Sequence, residues 1–151
     1  MPAGETLLLD TSVVIAYLDR RDRASPVASG IVDGLVRPGR NPAVISMVTV
    51  AEVLVGPSRS GNDTLHAEIL EFMTQLPGLR LEPLDLRIAQ RAATLRARYR
   101  MRLADALIVG TGLVAGASRI VSNDRDWRAM LGPSAVGAAV VLLDDHLPFD
   151  P

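Results

Sequence analysis

Cysteine and lysine are both absent from the sequence, and each absence excludes several kinds of chemistry. A chain without cysteine has no disulfide, no thiolate zinc site and no thiol nucleophile. A chain without lysine lacks a Schiff-base amine and the lysine of a phosphate-binding P-loop. The two histidines, His66 and His146, lie in peripheral segments, and neither has a companion at the spacing of metal ligands. The remaining candidates are the carboxylates and the arginines, which supply all 16 basic side chains.

Aromatic residues and long apolar runs are also scarce. Two Phe, two Tyr and one Trp are too few for base stacking to be the main mode of nucleic acid binding. The longest weakly charged stretch, 103–118, contains Asp105 and is too short to span a bilayer. No basic start followed by an apolar run marks a secretory signal. We expect a cytoplasmic protein without a membrane span, with one domain over residues 1–151.

Short apolar strands alternate with helical segments along the chain, and this alternation predicts an α/β fold with a parallel sheet. The predicted strands are 6–10, 44–47, 79–84, 119–122 and 140–143. The sequence between the second and third strands predicts a helix that begins at Thr49 and is broken by Gly56-Pro57-Ser58. A second helix is predicted from Thr64 to Gln75.

Acidic residues stand at the ends of these elements. Asp10 and Asp124 follow the first and fourth strands, Glu52 lies in the first helical turn after the second strand, and Asp105 opens an otherwise apolar helix. Each has a purely structural explanation, because the three aspartates could cap helices and Glu52 completes a capping box with Thr49. If the strands are neighbours in one parallel sheet, three of the four acids must lie near the same edge.

Carboxylates gathered at one edge repel one another and would bind protons unless a cation neutralised them. Mg²⁺ or Mn²⁺, which prefer oxygen ligands, are the natural partners. Such an ion activates water and stabilises in-line attack on a phosphodiester without a protein nucleophile. This chemistry fits a chain that has neither cysteine nor lysine.

The segment 85–102 holds six arginines and one acid. One explanation is a solvated helix face with cations at its C-terminal end, where the helix dipole favours them. The other is a strip of side chains that contacts phosphate groups.

Four short motifs now stand in order across about 120 residues, and together they are specific although each alone is weak. The motifs are Asp10-Thr11-Ser12, Thr49-Val50-Ala51-Glu52-Val53-Leu54, Leu103-Ala104-Asp105-Ala106-Leu107-Ile108 and Ser122-Asn123-Asp124-Arg125-Asp126-Trp127. In these motifs the sequence resembles PIN-domain nucleases, and in motif spacing and length it is most similar to the VapC-type toxin ribonucleases of bacterial toxin–antitoxin pairs. Two departures from the family pattern are Ser122, where threonine is common, and Trp127, where phenylalanine is common.

The resemblance implies a single PIN-like domain with a parallel five-stranded sheet in the order 3-2-1-4-5. It implies Mg²⁺- or Mn²⁺-dependent cleavage of RNA, a homodimer, and a cognate antitoxin that blocks the acidic groove. It also implies roles for individual residues. The metal would be held by Asp10, Glu52, Asp105 and Asp124, with Asp126 at a secondary acidic position. Thr11 or Ser12 would orient Asp10 or a metal-bound water, and Asn123 would do likewise. The RNA backbone would contact Arg87, Arg91, Arg98 and Arg102.

Two other interpretations of the sequence compete with that of a nuclease. Gly110-Thr111-Gly112-Leu113-Val114-Ala115 matches a dinucleotide-binding fingerprint with 106–109 as its strand, but the three residues before the next strand leave no room for the helix that such a motif needs. Its glycines could instead allow close helix packing. The other alternative is a PIN-fold interaction or RNA-binding protein without catalysis, which a metal-binding titration would distinguish.

Overall fold

The computed structural model describes residues 1–132 and 136–147. Its centre is a five-stranded parallel sheet in the order β3-β2-β1-β4-β5. The strands are β1 (Leu7–Leu9), β2 (Ala43–Ser46), β3 (Leu79–Glu82), β4 (Arg119–Ser122) and β5 (Ala139–Leu142). The predicted fold class and strand order are confirmed, and β1, the central strand, has β2 and β4 as its neighbours.

Helices cover both faces of this sheet. They are α1 (Thr11–Leu18), α2 (Ser25–Ile31, continued by the π-helical turn Val32–Val36), α3 (Met47–Ser60), α4 (Asp63–Gln75), α5 (Leu86–Tyr99), α6 (Leu103–Val114) and α7 (Arg125–Leu131), and a 3₁₀ turn spans Leu143–His146. Within the described part of the chain, none of the helices is both long and apolar enough to cross a membrane.

The side chains of β1 divide the core into two layers. Successive strand residues point to opposite faces of a sheet. Leu7 and Leu9 accordingly pack with the apolar faces of α1, α2 and α4, whereas Leu8 packs with α5, α6 and α7. All three leucines are buried. The first strand is therefore held from both sides, which fixes the position of the residue that follows it.

Two glycines let α6 pack closely against its neighbours. A Cβ at Gly112 would lie 2.7 Å from Leu8 Cδ2, and a Cβ at Gly110 would lie 3.4 Å from the backbone nitrogen of Ala92 on α5. Residues 106–109, which the dinucleotide-binding interpretation requires as a strand, lie inside α6. That interpretation is wrong, and close helix packing accounts for both glycines.

The helix that carries Glu52 differs from its prediction at both ends. It begins at Met47 instead of Thr49, with Ser46 as its N-cap, and it continues through Pro57 to Ser60. Proline removes one helical hydrogen bond, and burial of the Pro57 side chain offsets that loss. The predicted capping box is therefore wrong, because Glu52 is in the second turn of α3, away from the N-cap.

Candidate active site

Asp10 lies at the carboxyl end of β1 and is the N-cap of α1. Its side chain is almost fully buried, and three donors bind its two oxygens. Oδ1 accepts from the backbone N–H of Thr11 at 2.7 Å, while Oδ2 accepts from Ser12 Oγ at 2.9 Å and from Ser122 Oγ at 2.7 Å. Because Ser122 ends the neighbouring strand β4, the orientation of the Asp10 carboxylate is fixed by two adjacent strands.

The ionised form of the Asp10 carboxylate is unfavourable when no cation neutralises it. Burial raises the pKa of Asp10, the three hydrogen bonds act in the opposite direction, and the charge of Glu52 raises the pKa further. The net effect is a raised pKa. A cation beside Asp10 would favour the ionised form.

Glu52 reaches the same edge of the sheet from α3. Its carboxylate is exposed and accepts a hydrogen bond from the Thr11 hydroxyl, which also lies 3.3 Å from Thr49 Oγ1. Thr11 therefore contacts two of the predicted acids, Asp10 through its backbone and Glu52 through its side chain. Ser12 also contacts Asp10, through its hydroxyl group.

Asp105 and Asp124 line a cavity of about 240 Å³ together with Asp126. Asp105 is in the first turn of α6, and Asp124 is the N-cap of α7, where its Oδ1 accepts from the backbone N–H of Asp126 at 2.8 Å. Burial raises the pKa of Asp105, and the negative charges of Asp124 and Glu52 raise it further. Glu52 thus acts electrostatically on both Asp10 and Asp105, so the four acids form one interacting group at this edge.

The four carboxylates surround this edge without closing onto a single point. Within residues 1–132 and 136–147, no three Asp, Glu or His side chains are placed so that together they could hold one metal ion. The donor set nevertheless suits Mg²⁺ or Mn²⁺, because both prefer oxygen ligands and Mg²⁺ keeps several waters while it is bound through one or two carboxylates. The repulsion that raises the pKa of Asp105 is the kind that a cation relieves.

Asn123 is joined to the 3₁₀ turn Leu143–His146 and not to the four predicted acids. Its Nδ2 donates to Asp144 Oδ1 at 3.1 Å, its Oδ1 accepts from the Asp144 backbone N–H at 3.1 Å, and its own N–H donates to Ser12 Oγ at 2.9 Å. Asp144 also pairs with Arg23 at 2.9 Å and Arg125 at 3.3 Å. These contacts fix the loop that leads to the next residue, Asp124.

Asp144 was not singled out in the sequence, although a signal was present. The pair Asp144-Asp145 follows the last strand closely, much as Asp10 follows the first. The Arg23 guanidinium, with Asn123 and Arg125, holds the pKa of Asp144 below its usual value. Its role in the structure is to anchor a loop.

The arginines of segment 85–102 divide into two groups. Arg102 lines the acidic cavity, whereas Arg87, Arg91 and Arg98 are exposed along α5. Arg100, which was not among the predicted RNA contacts, also lines the cavity and ends α5 in a left-handed conformation with φ of 56°. The acidic cavity therefore has two guanidinium groups at its side.

The PIN domain is the family whose model matches the sequence, over residues 7–131. No curated protein gives a match. Similar solved structures include VapBC2 from Rickettsia felis bound to a DNA fragment from their promoter, with 15% identity, a TM-score of 0.70 and coverage of 91% of this chain and 98% of that chain. FitAcB from Neisseria gonorrhoeae has 22% identity, a TM-score of 0.66 and coverage of 91% and 97%. VapBC-5 from Mycobacterium tuberculosis, a member of the VapBC family of toxin–antitoxin systems, has 23% identity, a TM-score of 0.58 and coverage of 93% and 99%. At these identities the likeness concerns the fold.

Proposed function

The chain belongs to the PIN domain family, and on that premise we propose that residues 1–151 form one PIN-like domain that acts as a metal-dependent endoribonuclease, the toxin of a toxin–antitoxin pair. The observation that carries this proposal is the meeting of four carboxylates from four separate elements at one end of the sheet. The charge of Glu52 acts on Asp10 and on Asp105, and the charge of Asp124 acts on Asp105, although these residues come from distant parts of the sequence.

Mg²⁺ or Mn²⁺ would be held at this edge by Asp10, Glu52, Asp105 and Asp124, directly or through water, with Asp126 at the rim. The bound ion would supply water activation and charge neutralisation at the scissile phosphodiester. The chain's own groups do the positioning. Ser12, Ser122 and the Thr11 backbone hold the Asp10 carboxylate in one orientation, and the Thr11 hydroxyl does the same for Glu52.

RNA would approach the acidic cavity across the arginines beside it. Arg102 and Arg100 line the cavity and can neutralise phosphate groups that would otherwise be repelled by the carboxylates. Arg87, Arg91 and Arg98 extend this cationic surface along α5. The arrangement places guanidinium groups and carboxylates around one cavity.

An antitoxin that blocks the acidic groove would also dock against an apolar surface of the chain. The solved neighbours include toxin–antitoxin complexes, and the chain has an open apolar groove of about 300 Å³ between α1, α3 and α4. Ile15 and Leu65 line this groove and are 44% and 40% exposed. Exposed apolar side chains around a groove suit an apolar segment of a protein partner. A homodimer and a cytoplasmic location complete the proposal.

The groove can be tested with two matched variants. Ile15→Asp should weaken inhibition of RNA cleavage by the purified antitoxin, because it places a charge in the groove. Val55→Asp, at a position of similar exposure (47%) that does not line the groove, should leave inhibition unchanged. Equal inhibition of both variants would place the antitoxin elsewhere.

A PIN-fold protein that binds RNA or another partner without cleaving is the second candidate. It is favoured by one observation, the absence within the described residues of three side chains placed to hold a single ion. The two candidates differ in whether a divalent ion binds at the carboxylates. A calorimetric Mn²⁺ titration of the wild type and of Asp10→Asn distinguishes them directly.

The nuclease itself is tested with end-labelled RNA and purified protein free of its partner. Cleavage should require Mg²⁺ or Mn²⁺, stop with EDTA, and be lost in Asp10→Asn and in Asp105→Asn. Glu71→Gln is the matched control, because Glu71 is an exposed acid on α4, outside the carboxylate group. Cleavage that persists in either aspartate variant would exclude this site as the origin of the activity.

A further inference from the structure

The single tryptophan of the chain, Trp127, lies in α7 three residues after Asp124 and is buried in the core layer formed by α5, α6 and α7. Its exposed fraction is 2%. The indole Nε1 is buried with it, and among the described residues this nitrogen has no hydrogen-bond partner. A buried donor that has lost water and gained no acceptor is rare in folded proteins and calls for an explanation.

A carboxylate of the site is the candidate acceptor. Trp127 lines the same cavity as Asp105 and Asp124. Burial raises the pKa of Asp105, as do the charges of Asp124 and Glu52, while Arg102 and the indole N–H of Trp127 lower it. The indole N–H favours the ionised form of Asp105, although no hydrogen bond of normal geometry joins the two groups.

Asp105 and Asp10 differ in how they are held. Three donors bind the Asp10 carboxylate. In the part of the chain that the structure describes, no side chain or backbone group forms a regular hydrogen bond to the Asp105 carboxylate, so its orientation depends on a donor that is near and free. The Trp127 indole is such a donor, and its ring is buried in the core layer that also holds Leu131, Ile120 and Ala138.

We propose that Trp127 is a positioning residue, whose Nε1–H donates to the Asp105 carboxylate and holds it in one orientation. The inference rests on the proposed function for the role of Asp105 as a residue that would hold a cation. The ring accounts for packing in the core, and a phenylalanine would supply that packing without the donor. The N–H is therefore the part of Trp127 that acts on the site.

The contact is tested by nuclear magnetic resonance, because the only indole N–H in the protein gives a single, unambiguous cross-peak in a ¹H–¹⁵N correlation spectrum. Asp105→Ala should move the indole proton upfield and speed its exchange with solvent. Asp126→Ala is the matched control, since Asp126 lines the same cavity but has no part in the proposed contact, and it should leave the cross-peak in place. An indole resonance that is the same in wild type and Asp105→Ala overturns the proposal.

The consequence for the site is tested by Mn²⁺ affinity, followed by electron paramagnetic resonance of the free ion. Trp127→Phe should weaken Mn²⁺ binding about tenfold, the usual effect of removing a group that orients a metal ligand. Leu131→Val, which loosens the same core layer but keeps the indole, should lower the unfolding temperature without changing the affinity. If Trp127→Phe lowers the unfolding temperature but leaves the Mn²⁺ affinity unchanged, Trp127 contributes only to core packing.

The two experiments also separate this inference from the proposed function. If wild-type protein binds no Mn²⁺, the metal-dependent function fails, and with it the effect of Trp127 on cation binding. The indole cross-peak still decides whether the Trp127–Asp105 contact exists. If Mn²⁺ binds and the indole cross-peak is unchanged in Asp105→Ala, the proposed function stands and the inference about Trp127 fails.

Discussion

Ser122 joins two catalytic candidates across adjacent strands. Its hydroxyl donates to Asp10 Oδ2 at 2.7 Å and accepts from the backbone N–H of Asp124 at 3.0 Å. Ser122 is fully buried at the end of β4, and Asp10 follows β1, to which β4 is paired. One hydroxyl therefore holds the carboxylate of Asp10 and the backbone of Asp124.

Removing this hydroxyl should harm both the fold and the site. Ser122→Ala leaves a buried carboxylate with one donor fewer, and the expected loss is about 1–3 kcal/mol in the free energy of unfolding. Ser122→Thr keeps the hydroxyl and should restore most of the stability and any RNA cleavage. Chemical denaturation of the three proteins measures the effect. Equal stability of the alanine and threonine variants would show that the hydrogen bond contributes little.

Asp10 should make the fold less stable at neutral pH when no divalent ion is present. Its pKa is raised in the folded state, mainly by burial. A group with a raised pKa contributes stability below its unfolded pKa, and that contribution is lost as the pH rises through its folded pKa. Asp10→Asn should therefore unfold at a higher temperature than wild type at neutral pH in EDTA.

The pH dependence provides the control for this prediction. As the pH falls through the folded pKa of Asp10, its carboxylate becomes protonated and the wild type regains the lost stability. The difference in unfolding temperature between wild type and Asp10→Asn should therefore shrink. A difference that stays constant over the acidic range would assign the effect to packing of the amide. Calorimetric scans at several pH values supply both measurements.

RNA binding should depend more on the arginine at the cavity than on the arginine of the outer helix face. In a cleavage-deficient Asp10→Asn background, Arg102→Glu should weaken binding and reduce the slope of log affinity against log salt by about one. Arg98→Glu should have a smaller effect, because Arg98 is exposed on α5 and packs over the Tyr99 ring at 5.3 Å. Titrations at three salt concentrations measure both slopes. Identical losses for the two variants would favour a diffuse cationic surface over a defined phosphate contact.

Two glycine substitutions should change stability in opposite directions. Gly112→Ala forces a Cβ to within 2.7 Å of the Leu8 side chain, and such overpacking costs about 1–3 kcal/mol. Gly30→Ala lies inside α2 with no neighbouring atom within 4 Å of the added Cβ, and it should stabilise the helix by about 0.5–1 kcal/mol. Urea denaturation of both variants gives the sign of each change. A neutral Gly112→Ala would mean that α6 can move away from β1 at little cost.

Local signals in the sequence identified most of the elements. The Leu7–Leu9 run, the capping acids Asp10 and Asp124, and the periodic apolar face of α4 each act over a few residues, so they can be recognised without tertiary context. The prediction of a helix break at Pro57 is wrong, because α3 continues through this residue to Ser60. There the burial of Pro57 outweighs one lost helical hydrogen bond, and burial depends on neighbours that are distant in sequence.

The sequence by itself determined the α/β class, the strand order through its family resemblance, and the acids that follow the strands. Only the tertiary structure decided how those acids are held: Ser122 binds Asp10, Thr11 binds Glu52, and Asp144 anchors the loop before Asp124. Periodicity and capping are properties of a short segment, whereas a hydrogen bond between segments depends on the distance set by packed helices and paired strands. That distance is a property of the whole fold.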